Sequence, residues 1–340
     1  MIGEDAPCYV IAEAGSNHNR DLDMAFKLID AAVEAKVNAV KFQTFSAETI
    51  ASQADIPLTR IDFAGASSPY ELFKKIELPR EWQKDLFTYA SEKGISFLST
   101  PFDEEAVDQL LDIGIEAFKI ASFELNHFPL LRHVAQTGRP VLLSTGMATL
   151  DEIEEALDLL EKEGCRSVAL LHCGIGYPLD FADVNLRAMS TMSQFVPCPV
   201  GYSDHTFGIA VSLAAVARGA RLLEKHFTMD RQLSGPDHPF ALEPQELSEM
   251  VRSIRCIESA LGCSVKGPAE SELEFKERGR RSLFAKVSIR SGEIIRRDMI
   301  AVLRPAAGLH PRCLEMIVGR ATAKDIREHE PLTWDCISRS

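Results

Sequence analysis

Residues 201–227 read GYSDHTFGIAVSLAAVARGARLLEKHF and contain one strand–helix–strand unit. The apolar runs at its two ends have the length of buried strands, and the alanine-rich stretch between them has the apolar spacing of a helix. Each run closes on a histidine, His205 and His226. In a parallel sheet, both histidines would lie at the carboxyl ends of neighbouring strands.

The same unit recurs along most of the chain. Eight units within about 250 residues are typical of a (β/α)8 barrel, the TIM-barrel fold of the α/β class. A doubly wound sheet is the alternative, but the first run lacks the G-x-G-x-x-G turn of its dinucleotide-binding versions. The strand-length runs occupy residues 9–15, 39–44, 96–102, 117–122, 140–146, 167–173, 199–205 and 221–227.

Two segments depart from this repeat. Residues 45–80 form an unusually long connection with no strong helix expected before its end, and connections of this length are usually lids or binding loops. The barrel should end at residue 262, because a polar, charged composition predicts a linker over 263–281. The tail, 282–340, has short alternating apolar segments typical of a small β-rich domain.

The composition excludes several classes of function. The 340 residues carry a formal net charge of −13, which argues against a nucleic-acid partner because phosphate binding needs basic surface. No apolar run reaches the roughly 18 residues of a membrane span, and no signal-peptide pattern is seen, so we expect a cytoplasmic protein without a membrane partner. The eight cysteines show no C-x-x-C pairing, which favours reduced thiols.

Polar side chains stand at the ends of all eight predicted strands. One such residue would most often be a hydrogen-bonded core residue, but so many in one barrel mouth would be costly to desolvate without partners. Active sites in this fold are built at the carboxyl ends of strands. The strand ends carry Glu13, Lys41, Gln43, Thr100, Lys119, Ser122, Ser144, Thr145, His172, Ser203, Asp204, His205, Glu224 and His226.

The two histidines of the opening stretch suggest a metal site. His205 and His226 would point to a shared position, and two imidazoles completed by substrate and water oxygens suit Mn²⁺ or Mg²⁺ better than structural zinc. The alternative is that both are hydrogen-bonded barrel residues. Asp237, in SGPDH, is either a third polar group at this mouth or part of a turn.

Lys41 and Lys119 form a second pair, on the side of the mouth away from the histidines. Two ammonium groups there favour a phosphate or carboxylate ligand. A Schiff-base lysine is the rival role, although a metal would make it redundant. Glu13 is either a general base or hydroxyl anchor, or the ion-pair partner of one lysine.

Nine motifs follow one another along the chain: IAEAGSNHN, VKFQTF, LSTPFD, FKIAS, LSTGM, LLHC with YP, VGYSDHT, EKHFT and GPDH. In this order and at these intervals they closely resemble the sialic acid synthase family, which condenses phosphoenolpyruvate with an N-acylated hexosamine such as N-acetylmannosamine. The tail is similar to the family's antifreeze-like SAF domain, a β-clip fold. In the family a divalent ion polarises the aldehyde of the open-chain sugar, C3 of phosphoenolpyruvate attacks it, water adds at C2 and phosphate leaves with C–O cleavage.

The resemblance assigns roles to individual residues. His205 and His226 would bind the metal, Mn²⁺ with Mg²⁺ or Co²⁺ as alternatives, and would act in catalysis together with Glu13, Lys41 and Lys119. Phosphoenolpyruvate would be held by Lys41, Thr100, Lys119, Ser122, Ser144 and Ser203. The sugar would contact Glu13, Gln43, Tyr177 and Asp237. Arg304 resembles an arginine that the tail domain of one subunit inserts into its partner's barrel to hold the N-acyl group, which implies a domain-swapped homodimer.

Two positions depart from the family's usual motifs. HCGIGYP places Ile175 where an asparagine can contact the ligand, and FKIASFE places Phe123 beside the expected site. FKIASFE resembles the pseudaminate branch, whereas VKFQTF, EKHFT and SGPDH resemble the neuraminate and legionaminate branches, so a 2,4-diacetamido-trideoxyhexose is an alternative sugar. A barrel that binds sugars without catalysis is a further alternative. A sugar 6-phosphate would need another basic group, for which the long connection offers Arg60, Lys74, Lys75 and Arg80.

Overall fold

A computed structural model describes residues 2–3, 6–54, 66 and 68–338. The chain divides into two compact units, Met1–Gly262 and Cys263–Ser340. No helix within the described ranges is both long and apolar enough to cross a membrane.

The first unit is a closed barrel in which eight strands neighbour one another in chain order. Parallel pairing of the last strand with the first closes the barrel. Every strand lies within its predicted apolar run, so the (β/α)8 prediction is confirmed. The strands are β1 Tyr9–Glu13, β2 Ala39–Thr44, β3 Ser96–Pro101, β4 Phe118–Ile120, β5 Val141–Ser144, β6 Val168–Cys173, β7 Val200–Asp204 and β8 Leu222–His226.

Helices connect the strands and bury their apolar sides against them. Capping side chains begin several of these helices, as in the reciprocal Thr149–Glu152 capping box at residue 149. The helices are α1 Leu22–Glu34, α2 Ala47–Ile50, α3 Pro69–Ile76, α4 Gln83–Glu92, α5 Glu104–Asp112, α6 Phe128–Gln136, α7 Leu150–Lys162, α8 Arg187–Phe195, α9 Ala210–Ala217 and α10 Pro244–Leu261.

The barrel interior changes character along its axis. A separate apolar cluster fills its lower part, from Ile11 and Ala39 to Leu142 and Leu222. Because side chains alternate along a strand, the next inward positions toward the carboxyl ends carry the charged residues of the mouth. The apolar layer below therefore supports a polar site above.

The long connection contains more helix than expected. The prediction of no strong helix there was wrong for α3, which begins after Ser68, whose hydroxyl accepts a hydrogen bond from the Glu71 N–H. The serine cap, Pro69 at the first position and the helical spacing of the apolar residues from Leu72 to Ile76 are all helix signals, but α3 is short and fully buries no side chain. Residues 55–65 and 67, including Arg60, lie outside the described residues.

The second unit has its own apolar core. Strands β9 Ser282–Ala285 and β10 Ile300–Leu303 pair antiparallel, and residues from Leu283 to Ile337 pack together around them. The unit also contains helices α11 Leu273–Gly279 and α12 Leu314–Ile317. Helix α11 falls within the stretch predicted as a linker.

Candidate active site

A buried ion pair forms the first half of the mouth. The Lys41 ammonium lies 2.8 Å from a carboxylate oxygen of Glu13 and donates to the Thr100 hydroxyl at 3.1 Å. The Gln43 amide donates to the other oxygen of Glu13 at 2.7 Å. These four residues come from β1, β2 and β3, whose register places Glu13 opposite Lys41 and Gln43 opposite Thr100. Glu13 is therefore the ion-pair partner of Lys41 in this structure, and its role as general base or hydroxyl anchor stays a prediction.

Glu224 joins the two lysines into one cluster. Its carboxylate lies 3.8 Å from the ammonium of Lys41 and 3.8 Å from that of Lys119. It also accepts a hydrogen bond from the Ser203 hydroxyl at 3.2 Å. From the sequence, Glu224 was predicted at a strand end without a role. Its position two residues before His226, on the same face of β8, was the available signal.

Burial and neighbouring charges shift the pKa values of these groups in different directions. Burial raises the pKa of Glu13 to about 7, although Lys41 and Gln43 oppose the shift. Burial would raise the pKa of Glu224 as well, but Lys119 and Lys41 hold it at about 2. Burial lowers the pKa of Lys119, whose ammonium otherwise donates only to the Ile120 carbonyl at 3.2 Å among the described residues. Glu13 can therefore exchange a proton near neutral pH, and Lys119 has spare capacity for an anion.

The two imidazoles form the second half of the mouth. Their ring centroids are 5.4 Å apart. Nδ1 of His205 lies 3.0 Å from the Gly174 carbonyl, which can only accept, so Nδ1 carries the proton and Nε2 keeps its lone pair. Nδ1 of His226 is buried and has no hydrogen-bond partner within the described ranges. Burial lowers the pKa of both rings, which keeps them in the neutral form that binds metals.

These two residues fit a divalent ion. A backbone carbonyl that fixes the tautomer of one imidazole is the usual outer support of a metal-binding histidine, and the second imidazole has an unpaired buried nitrogen. Within the part of the chain that the structure describes, no group of three or more His, Cys, Asp or Glu side chains could hold a metal. Such an ion would need further oxygen ligands from substrate or water, which suits Mn²⁺ or Mg²⁺ rather than a closed zinc site.

Asp237 and Tyr177 lie beside the imidazoles. One oxygen of Asp237 accepts from the N–H and the hydroxyl of Ser16, both at 2.9 Å, and lies 3.9 Å from Nδ1 of His226. A Cβ on Gly15 would come within 2.6 Å of that oxygen, so the close approach requires glycine. The Tyr177 ring, 48% exposed, lies 4.5 Å from the His205 ring. The structure thus brings both predicted sugar contacts to the mouth.

The remaining predicted residues divide into two groups. Ser122 and Ser144 are buried at the ends of β4 and β5, with the Ser122 hydroxyl 3.0 Å from Sγ of Cys173. Ile175 lies over Gly146 on the same side of the mouth as Ser122. Arg304 instead belongs to the second unit, where it is exposed after β10.

Not every polar strand end joins the mouth. His172 bonds through Nε2 to the Val184 carbonyl and contacts the Tyr202 ring, on the outer face of the barrel wall. Asp204 pairs there with Lys225. The expectation that all strand-end groups gather in one mouth was wrong for His172 and Asp204, because residues of opposite parity on a strand face opposite sides.

Glu124 is a second acidic group near the mouth for which no role was predicted. One of its oxygens is buried without a hydrogen-bond partner in the described part of the chain. Burial raises its pKa to about 7, with Lys119 opposing. Phe123, beside it, is 53% exposed at the rim.

The basic residues of the long connection are already engaged. Lys74, Lys75 and Arg80 each form an ion pair with a carboxylate of the barrel unit. None of these three is therefore a free cation for a sugar phosphate.

Comparisons with known proteins agree with the resemblance in the motifs. The NeuB family model matches residues 28–266, and the SAF domain model matches residues 280–338. N,N'-diacetyllegionaminic acid synthase of Campylobacter jejuni is 43% identical over 94% of this chain and 97% of that protein. N-acetylneuraminate-9-phosphate synthase of Homo sapiens is 35% identical over 99% of this chain and 94% of that protein.

A solved structure gives the same result. The crystal structure of N-acetylneuraminic acid (sialic acid) synthetase from Leptospira borgpetersenii, in complex with citrate, matches with a TM-score of 0.73 at 38% identity. The match covers 80% of this chain and 91% of that chain. The chain therefore belongs to the NeuB family and ends in a SAF domain.

Proposed function

We propose that this protein is a nonulosonic acid synthase, a transferase that condenses phosphoenolpyruvate with an N-acylated hexosamine and releases phosphate. The main support for the proposal is that two buried ammonium groups and two neutral imidazoles lie in one barrel mouth. The names of the relatives, which are synthases of legionaminic and neuraminic acids, support it.

The lysine half of the mouth would hold phosphoenolpyruvate. Lys41 and Lys119 supply two positive charges for its phosphate and carboxylate, and charge-assisted hydrogen bonds of this kind are the strong ones. Neighbouring hydroxyls complete the anion site and stay fixed as charge develops on the leaving phosphate. They belong to Thr100, Ser122, Ser144 and Ser203.

The imidazole half would hold a divalent ion, Mn²⁺ with Mg²⁺ or Co²⁺ as substitutes, through His205 and His226. When bound, such an ion supplies Lewis-acid chemistry toward the aldehyde oxygen of the open-chain sugar. Gln43, Tyr177 and Asp237 would bind the sugar. Arg304 of a second subunit would hold the N-acyl group, in a domain-swapped homodimer.

Glu13 would donate one proton and accept another during the reaction. C3 of phosphoenolpyruvate forms a bond to the aldehyde carbon, whose oxygen gains a proton, and water that adds at C2 loses one before the C–O bond to phosphate breaks. A carboxyl with a pKa of about 7 can give the first proton and take the second. The Gln43 amide and the Lys41 ammonium hold both of its oxygens in place.

The test is phosphate release from phosphoenolpyruvate with a panel of N-acetyl and di-N-acetyl hexosamines, beginning with N-acetylmannosamine. We expect EDTA and His226→Ala each to abolish release, and added Mn²⁺ to restore only the EDTA-treated enzyme. His172→Gln is the matched control, since its ring lies outside the mouth. Full activity in metal-free buffer, or borohydride trapping of substrate on Lys119, would contradict the proposal. Substrate binding by calorimetry without turnover on any sugar would favour a non-catalytic barrel.

A further inference from the structure

A completely buried ion pair lies directly behind the two imidazoles. The Lys225 ammonium is 3.1 Å from a carboxylate oxygen of Asp204, and neither side chain has any exposed surface. The two residues are register partners on β7 and β8. Each immediately precedes one of the histidines, so the pair joins the two strands on the outer face of the wall at the level where His205 and His226 face inward.

The pair belongs to a network that encloses the residue after His205. The Asp204 carboxylate accepts from the Thr206 N–H at 2.9 Å and from the Thr206 hydroxyl at 2.8 Å. The Lys225 ammonium donates to the Thr206 carbonyl. All three polar groups of Thr206 are thus bound, and the backbone on both sides of His205 is fixed.

The two histidine rings are held in different ways. The His205 ring is held by the Gly174 carbonyl, and its own carbonyl accepts from the Leu179 N–H at 3.0 Å. Nδ1 of the His226 ring has no hydrogen-bond partner within the described ranges. The position of that ring therefore follows from the backbone of β8, where the His226 carbonyl accepts from the Leu242 N–H at 2.9 Å and the Lys225 side chain bonds Thr206 one residue earlier.

Stability alone does not account for such a pair. Desolvating two charges is costly, and replacing a buried ion pair with apolar groups of similar volume is often neutral or stabilising. We propose that Asp204 and Lys225 are positioning residues that set the separation and orientation of His205 and His226 as joint ligands of one divalent ion. This inference rests on the metal site of the proposed function.

The test measures metal binding rather than turnover. Mn²⁺ affinity of the full-length protein is determined by electron paramagnetic resonance titration, and the ligand geometry is monitored by the visible spectrum of bound Co²⁺. The double variant Asp204→Asn/Lys225→Met removes both charges at once and so leaves no unpaired buried ion. We expect it to fold, to bind Mn²⁺ about 10- to 100-fold more weakly and to show an altered Co²⁺ spectrum, as when an outer support of a metal ligand is lost.

Ser212→Ala is the matched control. The Ser212 hydroxyl donates to the same Asp204 carboxylate from helix α9, and among the described residues it shares no hydrogen bond with Thr206 or the histidines. Its loss should lower stability while Mn²⁺ affinity and the Co²⁺ spectrum stay as in the wild type. If the double variant does not fold, Thr206→Val, which deletes a single hydroxyl of the network, takes its place with the same two measurements and the same expected direction.

The outcomes separate this inference from the proposed function. A folded double variant with wild-type Mn²⁺ affinity and Co²⁺ spectrum would overturn the positioning role and leave the metal site standing. A wild-type protein that binds neither ion would overturn both. Weaker binding in Ser212→Ala as large as in the double variant would show that general stability, and not positioning, controls the site.

Discussion

The two buried lysines of the mouth should respond differently when each is replaced by methionine. Lys41 lies 2.8 Å from Glu13, so its removal leaves a buried carboxylate with only the Gln43 amide. Among the described residues, Lys119 has no carboxylate closer than Glu224 at 3.8 Å, and Glu224 keeps Lys41 and Ser203 when Lys119 is removed. Lys41→Met should therefore remove the main counter-charge of Glu13, whereas Lys119→Met should remove a charge that is poorly paired.

The magnitudes follow from these contacts. Breaking a buried pair by removing one partner costs about 3–5 kcal/mol when the other partner stays charged, and this is the upper limit for Lys41→Met because Glu13 can take up a proton near neutral pH. For Lys119→Met we expect a stability within about 1 kcal/mol of the wild type or above it, because an incompletely compensated ammonium is replaced by an apolar chain. Both variants should lose a charge-assisted hydrogen bond to phosphoenolpyruvate, about 1.5–3 kcal/mol, or about 10- to 150-fold in affinity.

Tryptophan fluorescence can measure the unfolding of the barrel separately from that of the second unit. The chain has two tryptophans, Trp82 in the barrel and Trp334 in the second unit. In a Trp334→Phe background, fluorescence during urea unfolding reports the barrel alone, and calorimetry gives the affinity for phosphoenolpyruvate. Equal destabilisation of the two lysine variants would refute the reasoning about pairing. Unchanged affinity in Lys119→Met would refute the anion site.

Two further predictions concern the stability of the barrel. Burial lowers the pKa of His18 to about 4, whereas the unfolded chain takes up this proton near the ordinary value of 6.5, so acidification favours unfolding. Lowering the pH from 7 to 5 should cost the wild type about 2 kcal/mol more than His18→Gln, and equal losses in urea unfolding would contradict this. Gly201→Ala would place a Cβ 2.2 Å from the Leu222 carbonyl and should cost about 3 kcal/mol or more. Gly208→Ala, with positive φ and no neighbour within 4 Å, should cost only about 1 kcal/mol, and a similar loss in both would refute the steric argument.

The strands of the barrel could be predicted because each one is a short, nearly continuous apolar run. Strands covered on both faces need such runs, and the turn signals between them marked their ends. Helix α3 was missed although Leu72, Phe73 and Ile76 have helical spacing and Ser68 and Pro69 are helix-start signals. These signals cover only eight residues inside a long connection, and α3 buries no side chain completely, so the stretch was interpreted as part of a loop.

Some features of the site could likewise be predicted from the sequence, and others could not. The lysines and histidines could be placed in one mouth from their positions at strand ends alone. Which carboxylate meets which lysine depends on distances across the barrel, and Glu224 reaches Lys119 from β8 to β4 without any sequence proximity. The outward direction of Asp204 follows from strand parity, because Ser203 faces inward to Glu224. Because alternate residues of a strand face opposite sides, an inward-facing Ser203 predicts that Asp204 faces outward, away from the mouth.

The formal charges of the mouth nearly cancel, and this balance links its two halves. Lys41 and Lys119 face the carboxyl groups of Glu13, Glu224 and Asp237, with Glu13 sharing a proton near neutral pH. Phosphoenolpyruvate carries both a phosphate and a carboxylate, so a neutral mouth attracts it only weakly. Two neutral imidazoles add ligands without adding charge, and a divalent ion held by them would make the mouth positive. The metal proposed here would therefore favour binding of the anion at the lysines as well as activation of the sugar's carbonyl, which is why the two pairs of residues belong to one site.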